Sequence, residues 1–346
     1  MTTHSPAVTR ALAEVDEDTF VRRPDGNLVS QSSSQPIIAN LIDRLNVQPG
    51  MKVLEIGTGS GYSTALLAHL AADGGHVVSV DVVAELVDRA RQLLTAHGHS
   101  NTTLLHGDGI QGAPGHGPFD RVIAWTTAPH LPAAWTTQLS PDGAIVAPLT
   151  AAPISKSGLG AHIRLGSDAS PVADQLFAAG FVELSGVAVD QWLVPPYGID
   201  VLRHDDKHRP WWLSGEWIRS PRHYLDGRYV LDALIQSHDH IPGPLQPDES
   251  AADWRAWLLA TRPAGLTTAA LGEPLWRIGH THQTGAALTD ARTATQTVIT
   301  SANADAEVLT DWADAWRAAG RPGLTDLVPH LEAFHDGWVL RTTAPR

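Results

Sequence analysis

Between residues 50 and 125, apolar and polar positions follow two alternating rhythms. Val53–Ile56, after the Pro49-Gly50 turn, is a short apolar run, and Val77–Val80, Thr103–Leu105 and Arg121–Trp125 repeat it at strand length. Between them, Ser63–Ala72 carries Leu66, Leu67 and Leu70 at helical spacing, and Glu85–Leu94 reads the same way. Strands separated by helices need crossover connections. The pattern therefore predicts an α/β fold with a mostly parallel, doubly wound sheet covered on both faces. Ile37–Leu45 is a further helical run. Beyond residue 190 the rhythm changes to an α+β mixture. Trp276–Ile278, Thr295–Thr300 and Trp338–Arg341 read as strands, and Asp305–Ala319 reads as a helix stopped by Gly320 and Pro322. Pro195-Pro196 and the polar stretch Arg203–Pro210 read as the joint. The expected division is residues 1–195 and 196–346, the second carrying most of the tryptophan: two of the 12 precede residue 190, and ten lie from Trp192 to Trp338.

Composition narrows the chemistry. With no cysteine, disulfides, zinc ribbons and thiol catalysis are excluded. A formal net charge of −13 argues against a nucleic-acid partner. No apolar run approaches the roughly 18 residues of a membrane helix, and the opening residues hold no apolar signal core; no membrane and a cytoplasmic location are expected. His238-Asp239-His240 and His280-Thr281-His282 have ligand chemistry, but no third ligand is visible in the sequence, and no metal is expected.

The strongest motif is the turn after the first strand, Glu55-Ile56-Gly57-Thr58-Gly59-Ser60-Gly61, with a helix beyond it. Glycines at 57, 59 and 61 allow a tight bend and close approach of a ligand to the backbone. Tyr62 stands where a dinucleotide fingerprint wants glycine, so the form suits S-adenosylmethionine (AdoMet) better than NAD. Asp81 ends the next strand, where a carboxylate can accept from ribose hydroxyls, and Asp108, in Gly107-Asp108-Gly109, follows the third and can accept from an adenine amine. Taken singly, the turn can be a bend without a ligand, and either acid a helix N-cap. Three such features at successive strand ends favour a cofactor site.

Ser34-Gln35-Pro36, the Glu55–Gly61 turn, Asp81, Gly107-Asp108-Gly109, Phe119-Asp120 and Ala128-Pro129 resemble the protein-L-isoaspartate O-methyltransferases over residues 20–185. The resemblance implies a class I AdoMet-dependent methyltransferase fold and methylation of a peptide side-chain carboxylate, with S-adenosyl-L-homocysteine as product. It assigns Glu55, Gly57, Thr58, Gly59, Ser60, Gly61, Asp81, Val82, Asp108, Gly109 and Thr126 to the cofactor. Ser34 would hydrogen-bond the substrate carboxylate, with Gln35 and Pro36 shaping the wall over the methyl donor; these three are the catalytic assignment. From spacing alone Ser34 also reads as the N-cap of the Ile37–Leu45 helix. Ser32-Ser33-Ser34 stands where the family has a Thr-Ile-Ser lead-in.

A second resemblance rests on the tail. Trp312-Ala313-Asp314-Ala315-Trp316-Arg317, Gly320-Arg321-Pro322-Gly323 and Gly337-Trp338-Val339-Leu340 are similar to an actinobacterial branch that acts with ATP-grasp enzymes on ribosomally made peptides of the graspetide type. It implies a precursor peptide as partner, before or after cyclisation by an ATP-grasp ligase, and an aspartyl ester that closes to an aspartimide. An aspartyl carboxylate is already ionised at neutral pH, so no general base is needed. Alignment in a dry pocket can supply about 7–11 kcal/mol. The Trp254/Trp257 and Trp312/Trp316 pairs each share a helical face if those segments are helical; the tail tryptophans read mostly as core, with one or two as peptide anchors and one of Trp211-Trp212 exposed. General isoaspartate repair, methylation of a small molecule or tRNA, and a silent binding module are the competing readings.

Overall fold

The computed structural model describes residues 4–30, 32–185, 196, 198–237, 239–273, 275–300 and 304–345. Trp192, Pro195 and His238, singled out above, lie outside them. Three short helices, α1 (Pro6–Glu14), α2 (Glu17–Val21) and α3 (Gln35–Leu45), precede the first sheet. The sheet is then built from β1 (Lys52–Ile56), α4 (Tyr62–Leu70), β2 (His76–Asp81), α5 (Ala84–Ala96), β3 (Thr102–His106) and β4 (Phe119–Ala124). A two-residue strand β5 (Leu131–Pro132) and α6 (Ala133–Thr137) lead to the meander β6 (Leu139–Thr150), β7 (Gly158–Leu165) and β8 (Pro171–Phe177). Strand order is β3-β2-β1-β4-β6-β7-β8. The first five are parallel, whereas β7 runs against both neighbours.

The two faces of this sheet are covered differently, because successive strand residues point to opposite sides. Val53, Val77 and Ile123 pack beneath α1, α3, α4 and α5. Leu54, Ile56, Val78 and Val122 belong to a core that includes Trp135 of α6 and continues into Trp254, Trp316 and Leu340 of the C-terminal half. The crossover helices α4 and α5 lie on the first face. On the second face the short crossover helix α6 contributes Trp135, and the C-terminal half adds Trp254, Trp316 and Leu340.

That half contains β9 (Val201–His204), β10 (Pro210–Gly215), α7 (Tyr224–Gln236), β11 (His240–Pro242), α8 (Ala251–Thr261) and β12 (Leu266–Leu271). It goes on through β13 (Trp276–His282), β14 (Gly285–Asp290), β15 (Gln296–Ile299), α9 (Ala304–Ala318), β16 (Val328–Phe334) and β17 (Gly337–Thr343). Seven antiparallel strands form the second sheet in the order β11-β15-β14-β13-β12-β10-β9. The hairpin β16–β17 adds β5 as a third strand, pairing Gly337 with Pro132 and Trp338 with Leu131. At Gly337 a Cβ would stand 2.1 Å from the Leu131 carbonyl oxygen, so that position admits no side chain.

One expectation needs correction. Arg203–Pro210 is the β9–β10 hairpin and not a linker: Asp205 accepts from the Lys207 and Arg209 amides and pairs with the Arg209 guanidinium at 2.7 Å. A polar, turn-rich stretch looks the same in sequence whether it joins domains or strands. The described tail tryptophans divide between buried and half-buried positions, with Trp217, Trp276, Trp312 and Trp338 among the half-buried. Trp254, Trp257 and Trp316 are buried, and Trp212 is buried while its neighbour Trp211 is half-buried, as strand alternation requires. Among the described residues the exposed tail aromatics are Tyr224 and Tyr229 on α7 and Phe334 on β16, and none is a tryptophan. No described helix is long and apolar enough to cross a membrane.

Candidate active site

From β1 the chain winds outward to β2 and β3, then returns to place β4 on the other side of β1. The crevice of such a sheet lies where this reversal occurs, at the carboxyl ends of the strands. Register brings those ends level, with Ile56 beside Val80 and Ala124, and Asp81 beside His106. Three backbone bonds extend the ladder past the strands: Gly57 N donates to Val80 O, Gly107 N to Asp81 O and Trp125 N to Ile56 O, at 2.8, 3.0 and 2.9 Å. The glycine turn, Asp81-Val82, Gly107-Asp108 and Trp125-Thr126 thus share one edge.

Within the turn, Gly57, Gly59 and Gly61 all have positive φ, of 96°, 52° and 86°. Their surroundings differ. A Cβ on Gly61 would meet Ala90 of α5 at 2.9 Å, whereas one on Gly59 would meet nothing within 4 Å. Gly61 is therefore a packing glycine, and Gly59 leaves its backbone open to a ligand. Thr58 and Ser60 are buried; Thr58 shares a 2.6 Å bond with Ser79, and the Ser60 hydroxyl accepts from the Tyr62 amide.

The acids do three different jobs. Glu55 is fully buried on the α4 side of the sheet. Its Oε1 accepts from Ser63 Oγ at 2.5 Å and Trp125 Nε1 at 2.8 Å, and its Oε2 accepts from Ser79 Oγ at 2.7 Å and from the Thr64 hydroxyl. Burial pushes this carboxyl above the usual carboxylate range, against the pull of the four donors. Placed with the cofactor residues by sequence, Glu55 instead has both oxygens turned into the protein, where they tie β1, β2, α4 and the β4 end together under the turn.

Asp81 is half-buried and grips the turn directly. Gly59 N donates to its Oδ2 and Val83 N to its Oδ1, both at 2.9 Å. A carboxylate has about four lone-pair sites, so acceptor capacity remains for two hydroxyls. Val82, beside it, is half-buried. Asp108 caps the short 3₁₀ turn Gly109–Gln111, its Oδ1 accepting from the Ile110 amide at 3.0 Å. The cap and a ligand contact are compatible, since no donor among the described residues reaches Oδ2. Gly109 is buried and accepts from the Trp135 indole at 2.8 Å; a Cβ there would meet Ile56 at 2.6 Å. The Thr126 hydroxyl is buried with no partner among the described residues, next to Gly57. An orphaned donor, an open glycine and two acids with spare lone pairs, along one sheet edge, are groups that fit AdoMet.

Ser34 occupies the N-cap position of α3, yet its side chain makes no capping bond and is exposed. Of the three consecutive serines, Ser32 has a buried hydroxyl with no partner among the described residues, and Ser34 is the exposed one. Gln35 Nε2 donates to the Tyr62 hydroxyl at 2.9 Å, drawing the first turns of α3 and α4 together; Pro36 is exposed beside it. Two residues that sequence reasoning missed complete the frame. Arg89 on α5 donates to Ser60 O at 3.1 Å and Arg22 O at 2.7 Å, and Arg23 pairs with Glu85 at 2.8 Å, so the segment before Ser34 is tied to the turn. A lone arginine on an amphipathic helix carries no such signal.

Some tail motifs have packing roles here. Trp316 donates to Pro322 O at 3.1 Å from within the core, and Leu340 is buried. The His280-Thr281-His282 motif acquires a neighbour the sequence did not reveal, Asp305 at the start of α9.

This sheet, with a glycine turn at its switch point and acids at the next strand ends, is that of a class I AdoMet-dependent methyltransferase with an added C-terminal β-rich region. The family model of Protein-L-isoaspartate(D-aspartate) O-methyltransferase (PCMT) matches residues 2–186, and the chain belongs to that family of AdoMet-dependent protein carboxyl O-methyltransferases. It is 41% identical over 199 residues to protein-L-isoaspartate O-methyltransferase 1 of Anaeromyxobacter sp., covering 53% of this chain and 90% of that one. With the protein-L-isoaspartate O-methyltransferase of Methanothermobacter thermautotrophicus it shares 34% over 156 residues, 42% of this chain and 72% of the other. A solved protein-L-isoaspartate O-methyltransferase structure superposes with a TM-score of 0.52 at 17% identity, over 99% of this chain and 96% of that one. That likeness is one of fold, and it extends through the C-terminal half.

Proposed function

We propose that the chain methylates the side-chain carboxylate of an aspartyl residue in a ribosomally made precursor peptide, before or after its cyclisation by an ATP-grasp ligase. The nitrogen of the following amide then attacks the ester carbonyl, and its proton leaves with the methoxy group as methanol, giving an aspartimide. The observation that carries a peptide-carboxylate substrate is Ser34: an exposed hydroxyl at a helix start, free of its capping bond, on a segment tied to the glycine turn. A helix N-terminus favours an anion, and the hydroxyl adds a donor to it. Gln35, held by Tyr62, fixes the height of that donor over the turn.

Glycines 57 and 59, Asp81, Asp108 and Thr126 would hold AdoMet, which when bound supplies a methyl group on a sulfonium and leaves as S-adenosyl-L-homocysteine. The chain's own residues need move no proton, because the substrate carboxylate is ionised at neutral pH. Their work is to bind, align and exclude water.

A second reading is general isoaspartate repair. The whole-length fold likeness favours it, because an extension of this kind also accompanies a protein of the repair family. Mass spectrometry of a short isoaspartyl peptide and its aspartyl twin, each incubated with enzyme and AdoMet, separates the two. Methyl gain or water loss on the aspartyl twin supports the peptide-maturation reading. Methyl gain on the isoaspartyl peptide alone replaces it with repair.

A further inference from the structure

The second sheet brings together three side chains that the methyl-transfer site does not use. His280 and His282 are two apart on β13, so strand alternation puts both imidazoles on one face. Asp305, from the first turn of α9, reaches that face and accepts from His282 Nε2 at 2.7 Å. One ligating atom from each of the three lies within 4.8 Å of the others. The two imidazole rings are 5.4 Å apart and 33° from parallel, and the edge of Trp312 closes one side of His280 at 5.8 Å.

Three further observations separate this cluster from an ordinary His–carboxylate bond. His280 Nδ1 is buried with no partner among the described residues, a state that asks for an explanation. Gly285 faces His282 across the β13–β14 pair, and a Cβ on it would stand 2.1 Å from Asp305 Oδ2 and 2.9 Å from His282 Nε2. Gly265, at φ 80°, is bare toward the imidazole of His280, where a Cβ would stand 2.6 Å from Nε2. Two positions thus lack a side chain where one would crowd the cluster. Exposure is graded, with the Asp305 side chain 8% accessible and that of His282 45%, which leaves an entry path on one side.

We propose that His280, His282 and Asp305 bind a borderline divalent cation of the zinc class, clamping α9 onto the β13–β14 hairpin. Two imidazoles and one carboxylate are the ligand types such ions take, and three protein ligands leave a fourth position for water. Zinc–nitrogen and zinc–oxygen bonds of about 2.0–2.2 Å require the three donors to close by small side-chain rotations. On binding, the ion takes the place of the hydrogen between His282 Nε2 and Asp305, and the imidazole stays neutral with its one hydrogen on Nδ1.

The test uses the full-length chain, free of any histidine tag and stripped with a chelator, titrated with Zn²⁺ against a chromogenic competitor. One equivalent should bind more tightly than the surface histidines do. His280→Gln, His282→Gln and Asp305→Asn should each weaken it by more than the roughly 10–100-fold that loss of an outer-shell partner costs. His204→Gln, an exposed control, should not. Circular dichroism and AdoMet titration check that each variant folds. Should a variant fail to fold, X-ray absorption of the zinc-loaded wild type decides. Two imidazoles in a nitrogen and oxygen shell support the site, whereas a water-only shell or any other imidazole count overturns it. Equal zinc affinity in wild type and folded variants overturns it as well.

Discussion

Adding one methyl group at Gly59 and at Gly61 should have opposite consequences, although both glycines lie in the same turn. Each has positive φ, so alanine costs about 1–2 kcal/mol of left-handed strain at either position. At Gly61 the new Cβ also stands 2.9 Å from Ala90 Cβ and 3.5 Å from Phe20, and overpacking of that kind adds about 1–3 kcal/mol to the cost of folding. At Gly59 it meets nothing within 4 Å, so the free chain bears the strain alone. The same overpacking of about 1–3 kcal/mol then falls on the complex with AdoMet, which converts to a rise in Kd of about 5–150-fold. Calorimetric titration with AdoMet and thermal unfolding of both variants provide the assay. One kcal/mol moves the midpoint by about 2–4 °C for 150–250 residues and by less in a longer chain. Gly61→Ala should therefore show the larger fall in Tm, and Gly59→Ala the larger fall in affinity. If Gly59→Ala binds AdoMet as tightly as the wild type, the backbone at Gly59 does not face the cofactor and the cradle described here is wrong.

Ser34→Ala should leave Tm within the roughly 0.5 kcal/mol typical of surface changes, because the hydroxyl caps nothing. It should cut kcat/KM on the methylated peptide by about 10–150-fold, the loss of one hydrogen bond of about 1.5–3 kcal/mol to a charged group. Unchanged turnover would remove Ser34 from the site. Glu55→Gln keeps an acceptor for Ser63 and Trp125 but turns an amide toward the Thr64 and Ser79 hydroxyls, so chemical denaturation should show a loss of about 1–3 kcal/mol. Glu249, whose side chain is fully covered and paired with Arg317 at 2.6 Å and Arg321 at 2.9 Å, has its carboxyl held at about 2 against an ordinary 4.5, chiefly by the Arg317 hydrogen bond. A depressed carboxyl stabilises above its unfolded value and loses that contribution as pH falls. Wild-type Tm should drop between pH 4.5 and 2, and Glu249→Gln should flatten that part of the curve.

Local pattern was enough for the elements with a clear period. Apolar runs bounded by turns gave β1 to β4, helical spacing gave α3, α4, α5 and α9, and glycine at 57, 59 and 61 marked a turn whose three positive φ values demand it. The acids at 81 and 108 were legible because strand ends in a doubly wound sheet share an edge by topology, whatever the details of packing.

What the chain pattern could not carry was any relation set by distance in space. It grouped Glu55 with the ligand residues, whereas burial and four donors from three other elements turn it inward. It assigned Ser34 by resemblance alone; that Ser34 is exposed while Ser32 and Ser33 are half-buried is a property of the fold. It read a hairpin as a linker, and it did not show that the C-terminal half helps to cover the second face of the first sheet. Trp254, Trp316 and Leu340 cover that face from more than 100 residues away, a pairing that periodicity has no means to encode. The same holds for Asp305: two histidines on one strand face follow from a period of two, but the carboxylate beside them depends on how a helix docks. Sequence determined the strongly periodic elements and the chemistry they bear; tertiary packing decided which of those groups face solvent, which face each other, and which support the rest.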